Sequence, residues 1–257
     1  MLLNIQRFLV LLVFTSITVI SQAYDLEREK RLEDQTLAAL FTGEPVYLST
    51  TEHEFLALET EAEGNTKGAL VLLHGRGYGP DSEIVVGPLR EVLAEDGWHT
   101  LSVQMPVLEK GAKYYDYIEV FPEARLRINA ALEHLKTSEF SPIIIIAHSC
   151  GVHMSMDWLR HNGDDAIDAY VGLGMGATDY KQPMREPFPF AQMSIPILDV
   201  YGDADYPAVV SKADERLQQF KHTSDKSKQV VIEQADHEFS DHTEDLIETV
   251  SQWLDML

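Results

Sequence analysis

From residue 69 to the C-terminus, short apolar runs alternate with amphipathic stretches, and this alternation limits the possible folds more than any other feature. Apolar runs of this length predict strands, here at residues 69–73, 99–105, 142–147, 166–173, 195–202 and 229–234. The stretches between them have helical spacing at residues 84–95, 123–135, 152–160, 211–220 and 242–257. Strands joined through helices form right-handed crossovers, so the pattern predicts a mostly parallel sheet with helices on both faces.

Two further strands are predicted ahead of this alternation, at residues 46–50 and 53–60. They favour an antiparallel start and bring the expected sheet to eight strands. In sheets of this class, ligands bind in the loops at the carboxyl ends of the strands. The loops after Leu73, Ala147, Tyr201 and Gln234 are therefore where we expect the chemistry.

The first residues have the pattern of an export signal. One basic residue, Arg7, precedes an apolar run at residues 8–20, and the small residues Ser21 and Ala23 follow. This pattern predicts a signal peptide over residues 1–23, because the run is too short and interrupted to suit a permanent span of roughly 30 Å. A retained anchor is the less favoured alternative. We expect a periplasmic or secreted protein, with residues 24–257 as one domain and no stable membrane anchor after cleavage.

The charge and cysteine content exclude several classes of partner. Lys and Arg number 20 against 42 Asp and Glu, a formal net charge of −22, which repels phosphate backbones and argues against nucleic-acid binding. The single cysteine, Cys150, excludes an intrachain disulfide. The sequence contains no cluster of cysteine and histidine residues with the spacing of a zinc site, and it contains no phosphate-binding P-loop. We therefore expect neither a metal nor a cofactor. The sequence does not indicate an oligomeric state.

The strongest local signal is the segment at residues 143–152, a β-branched strand that enters a helix through a tight turn. Ala147 and Gly151 lie two residues before and after Ser149, where such a turn needs small side chains, so Ser149 is the candidate nucleophile. The thiol of Cys150 is a rival nucleophile. It would need small residues at the positions of His148 and Val152, and neither residue is small.

This segment resembles the nucleophile turn of the α/β-hydrolase superfamily, whose usual pattern is Gly-x-Ser-x-Gly, with Ala147 in place of the first glycine. The resemblance implies the α/β-hydrolase fold and an acyl-bond hydrolase. Within the superfamily, the His74-Gly75 loop and residues 97–106 and 199–207 resemble a group of uncharacterised exported proteobacterial hydrolases.

The resemblance also assigns an oxyanion hole. In the family, the His-Gly-x segment after the third strand supplies one backbone donor and the residue after the nucleophile supplies the other. Here these donors would be the N–H groups of Arg76 and Cys150. The side chain of Arg76 could contact an anionic substrate group or could simply be solvated, and the sequence leaves both interpretations open.

The family pattern of a strand followed by Gly-x-x-Asp matches Gly202 and Asp205, which makes Asp205 the preferred acid. Asp203 is the alternative and more typical of a turn residue. Asp199 lies inside the strand, where we expect a hydrogen-bonded structural role. His237 follows the last strand and is the candidate base, because the order Ser149, Asp205, His237 matches the order in this fold.

These residues predict a serine hydrolase that acts on a small-molecule acyl substrate through a Ser-His-Asp triad. A carboxylic ester is the favoured substrate, with a thioester or an amide as alternatives, and a non-catalytic binding protein of the cell envelope is the competing class. The insert between the strands at residues 166–173 and 195–202 is too short for a large lid. Its aromatic and proline residues and the cluster at residues 114–117 are candidate pocket walls.

Overall fold

A computed structural model describes residues 24–257, so the predicted signal peptide at residues 1–23 lies outside the described residues. One sheet has the strand order β1-β2-β4-β3-β5-β6-β7-β8. The strands are β1 Glu44–Ser49, β2 Glu54–Thr60, β3 Ala69–Leu73, β4 His99–Val103, β5 Ile143–His148, β6 Ala169–Leu173, β7 Ile197–Gly202 and β8 Lys228–Ile232. Strand β2 pairs antiparallel with β1 and β4, and the other pairs are parallel. The predicted eight-stranded, mostly parallel sheet is confirmed.

The helices are α1 Leu26–Ala39, α2 Val86–Glu95, α3 Tyr114–Tyr117, α4 Phe121–Lys136, α5 Cys150–Asn162, α6 Pro207–Val210, α7 Ala213–Phe220 and α8 Thr243–Leu254. Short 3-10 turns lie at Ile118–Val120 and Phe190–Gln192. Each of the five stretches with predicted helical spacing contains a helix. Sequence reasoning predicted no helix at α1, because half of its 14 residues are charged and it lacks a continuous apolar stripe.

The sheet is covered on both faces, as the alternating pattern predicted. Val71 and Ile145 face one core, which α4 and α5 cover, whereas Leu72 and Ile146 face a second core under α2 and α8. All six residues of β5 are buried, which explains why its sequence is a continuous apolar run rather than an alternating one. The nucleophile turn therefore follows a strand that is buried on both faces.

Helix α1 is held to this domain by long-range ionic contacts. Glu29, on α1, pairs with the buried guanidinium of Arg127 at 2.9 Å and accepts the N–H of Val107. The rings of Tyr24 and Phe55 lie over the same guanidinium, 5.3 and 5.0 Å from its central carbon. Tertiary contacts thus stabilise helix α1, and no local pattern in the sequence predicts these contacts.

The insert between β6 and β7 contains only the 3-10 turn at Phe190–Gln192 as regular structure, so no large helical cap covers the carboxyl edge of the sheet there. This agrees with the predicted small or absent lid. Within residues 24–257, no helix is both long and apolar enough to span a membrane.

Candidate active site

Ser149 occupies a strained turn between β5 and α5. Its backbone has φ 54° and ψ −113°, outside the regions that residues with a side chain commonly adopt. A Cβ atom built on Gly151 would lie 2.6 Å from the carbonyl oxygen of Leu73, so only glycine fits where the helix passes the neighbouring strand. The requirement for a small residue after the serine is therefore a direct consequence of this close approach.

The three predicted triad residues lie in one hydrogen-bonded chain. Nδ1 of His237 is 2.7 Å from Oδ1 of Asp205, and Nε2 of His237 is 2.7 Å from Oγ of Ser149. Because an ionised carboxylate only accepts, Nδ1–H donates to Asp205, and Nε2 is then free to accept the serine proton. His237 and Asp205 are both buried, and the residues come from the loops after β5, β7 and β8.

The other two carboxylates of this region have different contacts. Asp203 is exposed, and its Oδ1 accepts the N–H of Gln234 at 2.6 Å, which tightens the turn. Asp199 lies in β7 and accepts from Nε of Arg216 at 2.9 Å and from the amide of Gln229 at 2.8 Å. The geometry therefore favours Asp205 among the three aspartates, and Asp199 is hydrogen-bonded as predicted.

Cys150 is the first residue of α5, and its thiol is buried. Burial raises the pKa of this thiol to about 12, so the thiol stays protonated near neutral pH and is a poor nucleophile. The first N–H groups of a helix have no partner within the helix, so the Cys150 N–H is a suitable donor to an oxyanion.

The loop after β3 runs against the nucleophile. A Cβ atom built on Gly75 would lie 3.3 Å from Cβ of Ser149. His74 fixes the loop, because its Nδ1–H donates to the carbonyl of Gly75 and its Nε2 accepts the N–H of Met105. Burial lowers the pKa of His74 to about 4, so the ring is neutral and suited to these two roles. The oxyanion roles of the Arg76 and Cys150 N–H groups stay a prediction.

The side chain of Arg76 is engaged by a residue that sequence reasoning did not consider. Its Nη1 lies 2.6 Å from Oδ2 of Asp179, in the insert after β6. Neither interpretation of this side chain from the sequence, a contact to an anionic substrate or free solvation, included the ion pair. The missed partner lies 103 positions away in the chain.

Two neighbours of His237 were also missed. Gly174, with φ +64°, lies so close that a Cβ atom there would be 2.7 Å from Cε1 of His237. The ring of Tyr206 lies 4.4 Å from the imidazole, centroid to centroid. A glycine directly after a strand was the available signal for the first residue, whereas Tyr206 follows Asp205 in the sequence with no pattern of its own.

His148, which precedes the nucleophile, lies behind the imidazole of His237. Its Nε2–H donates to the backbone carbonyl of His237 at 3.0 Å, and the two rings are 5.2 Å apart. Burial lowers the pKa of His148 to about 3. This ring is therefore a neutral support for the loop that carries His237.

The serine opens into a cavity of about 610 Å³. Its lining residues are Arg76, Tyr114, Ser149, Cys150, His153, Ala177, Thr178, Asp179, Tyr180, Lys181, Gln182, Pro183, Tyr206, Pro207 and Ala208. The candidate wall residues Tyr114, Tyr180 and Pro183 are among them. In the part of the chain that the structure describes, no group of three or more His, Cys, Asp or Glu side chains could hold a metal ion.

Comparison with solved structures identifies the class of this architecture: the chain has the α/β-hydrolase fold. Est1E from Butyrivibrio proteoclasticus is 18% identical, with a TM-score of 0.64 over 83% of this chain and 98% of that chain. A dienelactone hydrolase from Anabaena variabilis is 19% identical, with a TM-score of 0.64 over 84% and 97%. An esterase from Pyrococcus furiosus is 18% identical, with a TM-score of 0.65 over 88% and 93%.

Similarity to known sequences covers less of this chain than similarity to solved structures does. A family described as "Protein of unknown function (DUF3530)" matches residues 20–116, a segment that ends within α3 and so includes the loop of His74 to Arg76 but not the predicted triad. No curated protein matches the sequence.

Proposed function

We propose that this protein is a serine hydrolase that cleaves acyl bonds, with carboxylic esters as its substrates. The single observation that carries the proposal is the chain of two 2.7 Å hydrogen bonds from Ser149 through His237 to Asp205. A serine is a weak nucleophile until a base removes its proton, and this arrangement supplies the base together with a group that orients it.

In the proposed first step, Oγ of Ser149 attacks the acyl carbon while its proton moves to Nε2 of His237. Asp205 holds the imidazole in the required tautomer and stabilises the imidazolium that forms. The backbone N–H groups of Cys150 and Arg76 would bind the negative charge on the former carbonyl oxygen, a contribution of about 3 kcal/mol for each donor.

In the second step, Nε2 of His237 gives the proton to the departing alcohol, which leaves an ester between Oγ of Ser149 and the acyl group. A water molecule then loses its proton to Nε2 and attacks the same carbon. Collapse of this intermediate breaks the bond to Oγ, which takes the proton back, and releases the carboxylic acid. The step needs no group beyond the chain and water.

Esters are the favoured substrates among the three acyl classes. Two of the structures with the same fold are an esterase and a dienelactone hydrolase, which supports ester chemistry by analogy at below 20% identity. Thioesters and amides remain alternatives to be tested. The competing proposal, a non-catalytic binding protein, gives no reason for the strained backbone of Ser149 or for its hydrogen bond to His237.

We also propose that the protein acts outside the cytoplasm as a mature chain that starts at Tyr24. The basic and apolar pattern of residues 1–23 supports this location. Its partners in this proposal are small acyl substrates rather than nucleic acids, which the net charge of −22 would repel.

Hydrolysis of a panel of p-nitrophenyl esters, thioesters and anilides tests the proposal. We expect turnover of the esters by the purified mature protein, and a loss of at least about a thousandfold in Ser149→Ala and in His237→Ala. Ser224→Ala and His161→Ala, which alter residues outside the lining of the catalytic cavity, are matched controls and should keep full activity. Undiminished hydrolysis by Ser149→Ala, or folded wild type without turnover of any substrate, would refute the proposal.

A further inference from the structure

A second cavity, of about 450 Å³, adjoins the catalytic one. Thr178, Pro183 and Ala208 border both cavities. The second cavity lies between the insert after β6 and the helices α6 and α7, next to the serine but outside the triad. The two spaces together are large enough for a substrate with one extended arm.

The side of this cavity that the insert forms suits an uncharged, apolar group, whereas the lining residues between positions 211 and 219 are polar or charged. Met184, Pro187 and Phe188 line it in addition to the shared residues Pro183 and Ala208. Two cations also reach its edge, but Lys212 is paired with Glu215 at 2.7 Å, and Arg216 is paired with Asp199 at 2.9 Å. An aliphatic chain would therefore meet apolar surface and compensated charges.

The position of the base indicates which arm of the ester lies there. Nε2 of His237 must protonate the leaving oxygen, so the leaving group lies beside His237 and the exposed ring of Tyr206. The second cavity is bordered instead by Thr178, Pro183 and Ala208. The acyl group is the arm that can enter it while the leaving group stays at the base.

We propose that the second cavity receives the acyl chain, so that the preferred substrates are esters of medium-length aliphatic acids. This inference rests on the proposed ester hydrolysis. A methylene group occupies about 30 Å³, similar to the volume of a water molecule in the liquid. An acyl chain that fills about half of the 450 Å³ cavity therefore has about eight carbons. Each buried methylene is worth at most about a fourfold gain in kcat/KM.

The test is the kcat/KM of p-nitrophenyl esters from acetate to dodecanoate. We expect a rise from acetate to about the octanoate and then a plateau, since longer chains leave the cavity. Ala208→Phe, which places a ring between the two cavities, should lower kcat/KM for the octanoate by about thirtyfold or more and for the acetate by less than about threefold. Val210→Phe, on the same short helix and absent from both linings, is the matched control.

Several results would overturn this assignment. They are a wild-type rate that does not depend on acyl length, a dependence on the length of the alcohol instead, or an equal loss for acetate and octanoate in Ala208→Phe. Absence of hydrolysis of every ester in the series by folded wild type would refute the esterase proposal itself, so the two failures are distinguishable.

A different observation concerns the carboxylate of Asp179, where three loops of the catalytic cavity meet. Its Oδ2 accepts from Nη1 of Arg76 at 2.6 Å and from the N–H of Tyr114, at the start of α3, at 2.7 Å. The ammonium of Lys113 lies 3.6 Å from Oδ1. Partial burial opposes ionisation, but the Arg76 and Tyr114 hydrogen bonds prevail and hold the pKa of Asp179 below its usual value.

The ion pair of Asp179 with Arg76 adds a constraint to the loop that His74 already holds at Gly75. Arg76 lies between Gly75 and Gly77, and Gly77 has φ +77°, so the backbone on either side has unusual freedom. Through its ion pair with the side chain of Arg76, Asp179 of the insert fixes the position of this backbone. The N–H of Arg76 is also one of the two candidate oxyanion donors.

We infer that Asp179 is a positioning residue for the oxyanion hole and acts through the side chain of Arg76. Asp179→Asn should lower kcat for a neutral ester about tenfold to a hundredfold, with KM changed by less than about threefold, since the oxyanion donors act mainly in the transition state. The inhibition constant of a trifluoromethyl ketone, whose adduct with serine carries an oxyanion, should rise by the same factor as kcat falls. Asp179→Glu, which keeps the carboxylate, should have a higher kcat and a lower inhibition constant than Asp179→Asn.

Asp116→Asn is the matched control, because Asp116 accepts the N–H of Lys113 at the same helix start, has no contact to Arg76 and does not line the catalytic cavity. It should leave kcat and the inhibition constant unchanged. An unchanged kcat in Asp179→Asn would overturn the inference. So would a rise in KM alone, or a gain confined to anionic esters, which would mean that Asp179 only neutralises Arg76.

Discussion

Strand β7 supplies two buried aspartates that look alike and have different contacts. Asp199 lies within the strand and Asp205 lies just after it. Both are buried, and each has one carboxylate oxygen without a hydrogen-bond partner among residues 24–257. Asp199 pairs with Arg216, whereas Asp205 accepts from His237. Burial and an unpaired carboxylate oxygen therefore do not distinguish the candidate catalytic acid from the structural one.

The partner makes the difference. A guanidinium stays protonated at all relevant pH values, so the pair of Asp199 and Arg216 is a fixed contact between β7 and α7. An imidazole can gain and lose a proton, and His237 contacts the nucleophile on its other side. Burial raises the pKa of Asp199, and only the contacts with Arg216 and Gln229 oppose this rise. We expect mutations at the two aspartates to have opposite consequences for activity and stability.

The largest effect on activity is expected for Asp205→Asn. The amide keeps the shape but no longer holds the imidazole in the required tautomer, so kcat should fall by about ten-thousandfold. The melting temperature should stay close to that of the wild type, and steady-state kinetics beside a thermal scan checks both. Asp203→Asn is the control, since Asp203 only accepts a backbone N–H. A comparable loss of kcat in Asp203→Asn would contradict the assignment of Asp205 as the catalytic acid.

Asp199→Asn should show the reverse pattern. Removal of the carboxylate leaves Arg216 buried without its counter-charge, which should lower the free energy of unfolding by about 3–5 kcal/mol. The folded fraction should keep kcat within about threefold, because Asp199 does not touch His237 or Ser149. Urea unfolding and active-site titration of the same sample separate the two quantities. A stable but inactive Asp199→Asn would contradict the division of roles.

Gly174→Ala tests how closely the base is enclosed. The new Cβ atom would lie 2.7 Å from Cε1 of His237, so the imidazole must move and kcat should fall by about a hundredfold. Gly163→Ala is the matched control, because Gly163 also has positive φ, +73°, but has open space around the added atom. Both variants should lose about 1–3 kcal/mol of stability from backbone strain. Equal kcat in the two variants would mean that Gly174 is needed for its positive φ and not for the space it leaves beside His237.

The smallest effect is expected at the thiol next to the nucleophile. With its pKa raised to about 12 by burial, Cys150 is protonated below that pH, and its reactivity should rise only as the pH approaches that value. Alkylation by iodoacetamide at about pH 8 should therefore be more than about a hundredfold slower in the native protein than in urea. Rapid alkylation of the native protein would show an accessible, ionised thiol and would reopen the question of the nucleophile.

The sequence predicts the parts of this molecule that local chemistry determines. Continuous apolar runs predicted the strands, and small residues around Ser149 predicted the turn, because both requirements act within a few residues. Helix α1 was not predicted, since its stability depends on the contact of Glu29 with Arg127, 98 positions away. Asp179 and Gly174 were missed for the same reason. Their roles arise from approaches between distant loops that leave no periodic signal.

The most direct test of the triad is the site of covalent modification by a fluorophosphonate, read by peptide mass spectrometry of the purified protein. We predict a single adduct on Ser149, formed at a rate that falls by at least about a thousandfold in His237→Ala and in Asp205→Asn, and by less than about threefold in Asp199→Asn. An adduct on another residue, or equal labelling of Ser149 in wild type and His237→Ala, would show that His237 does not activate this serine.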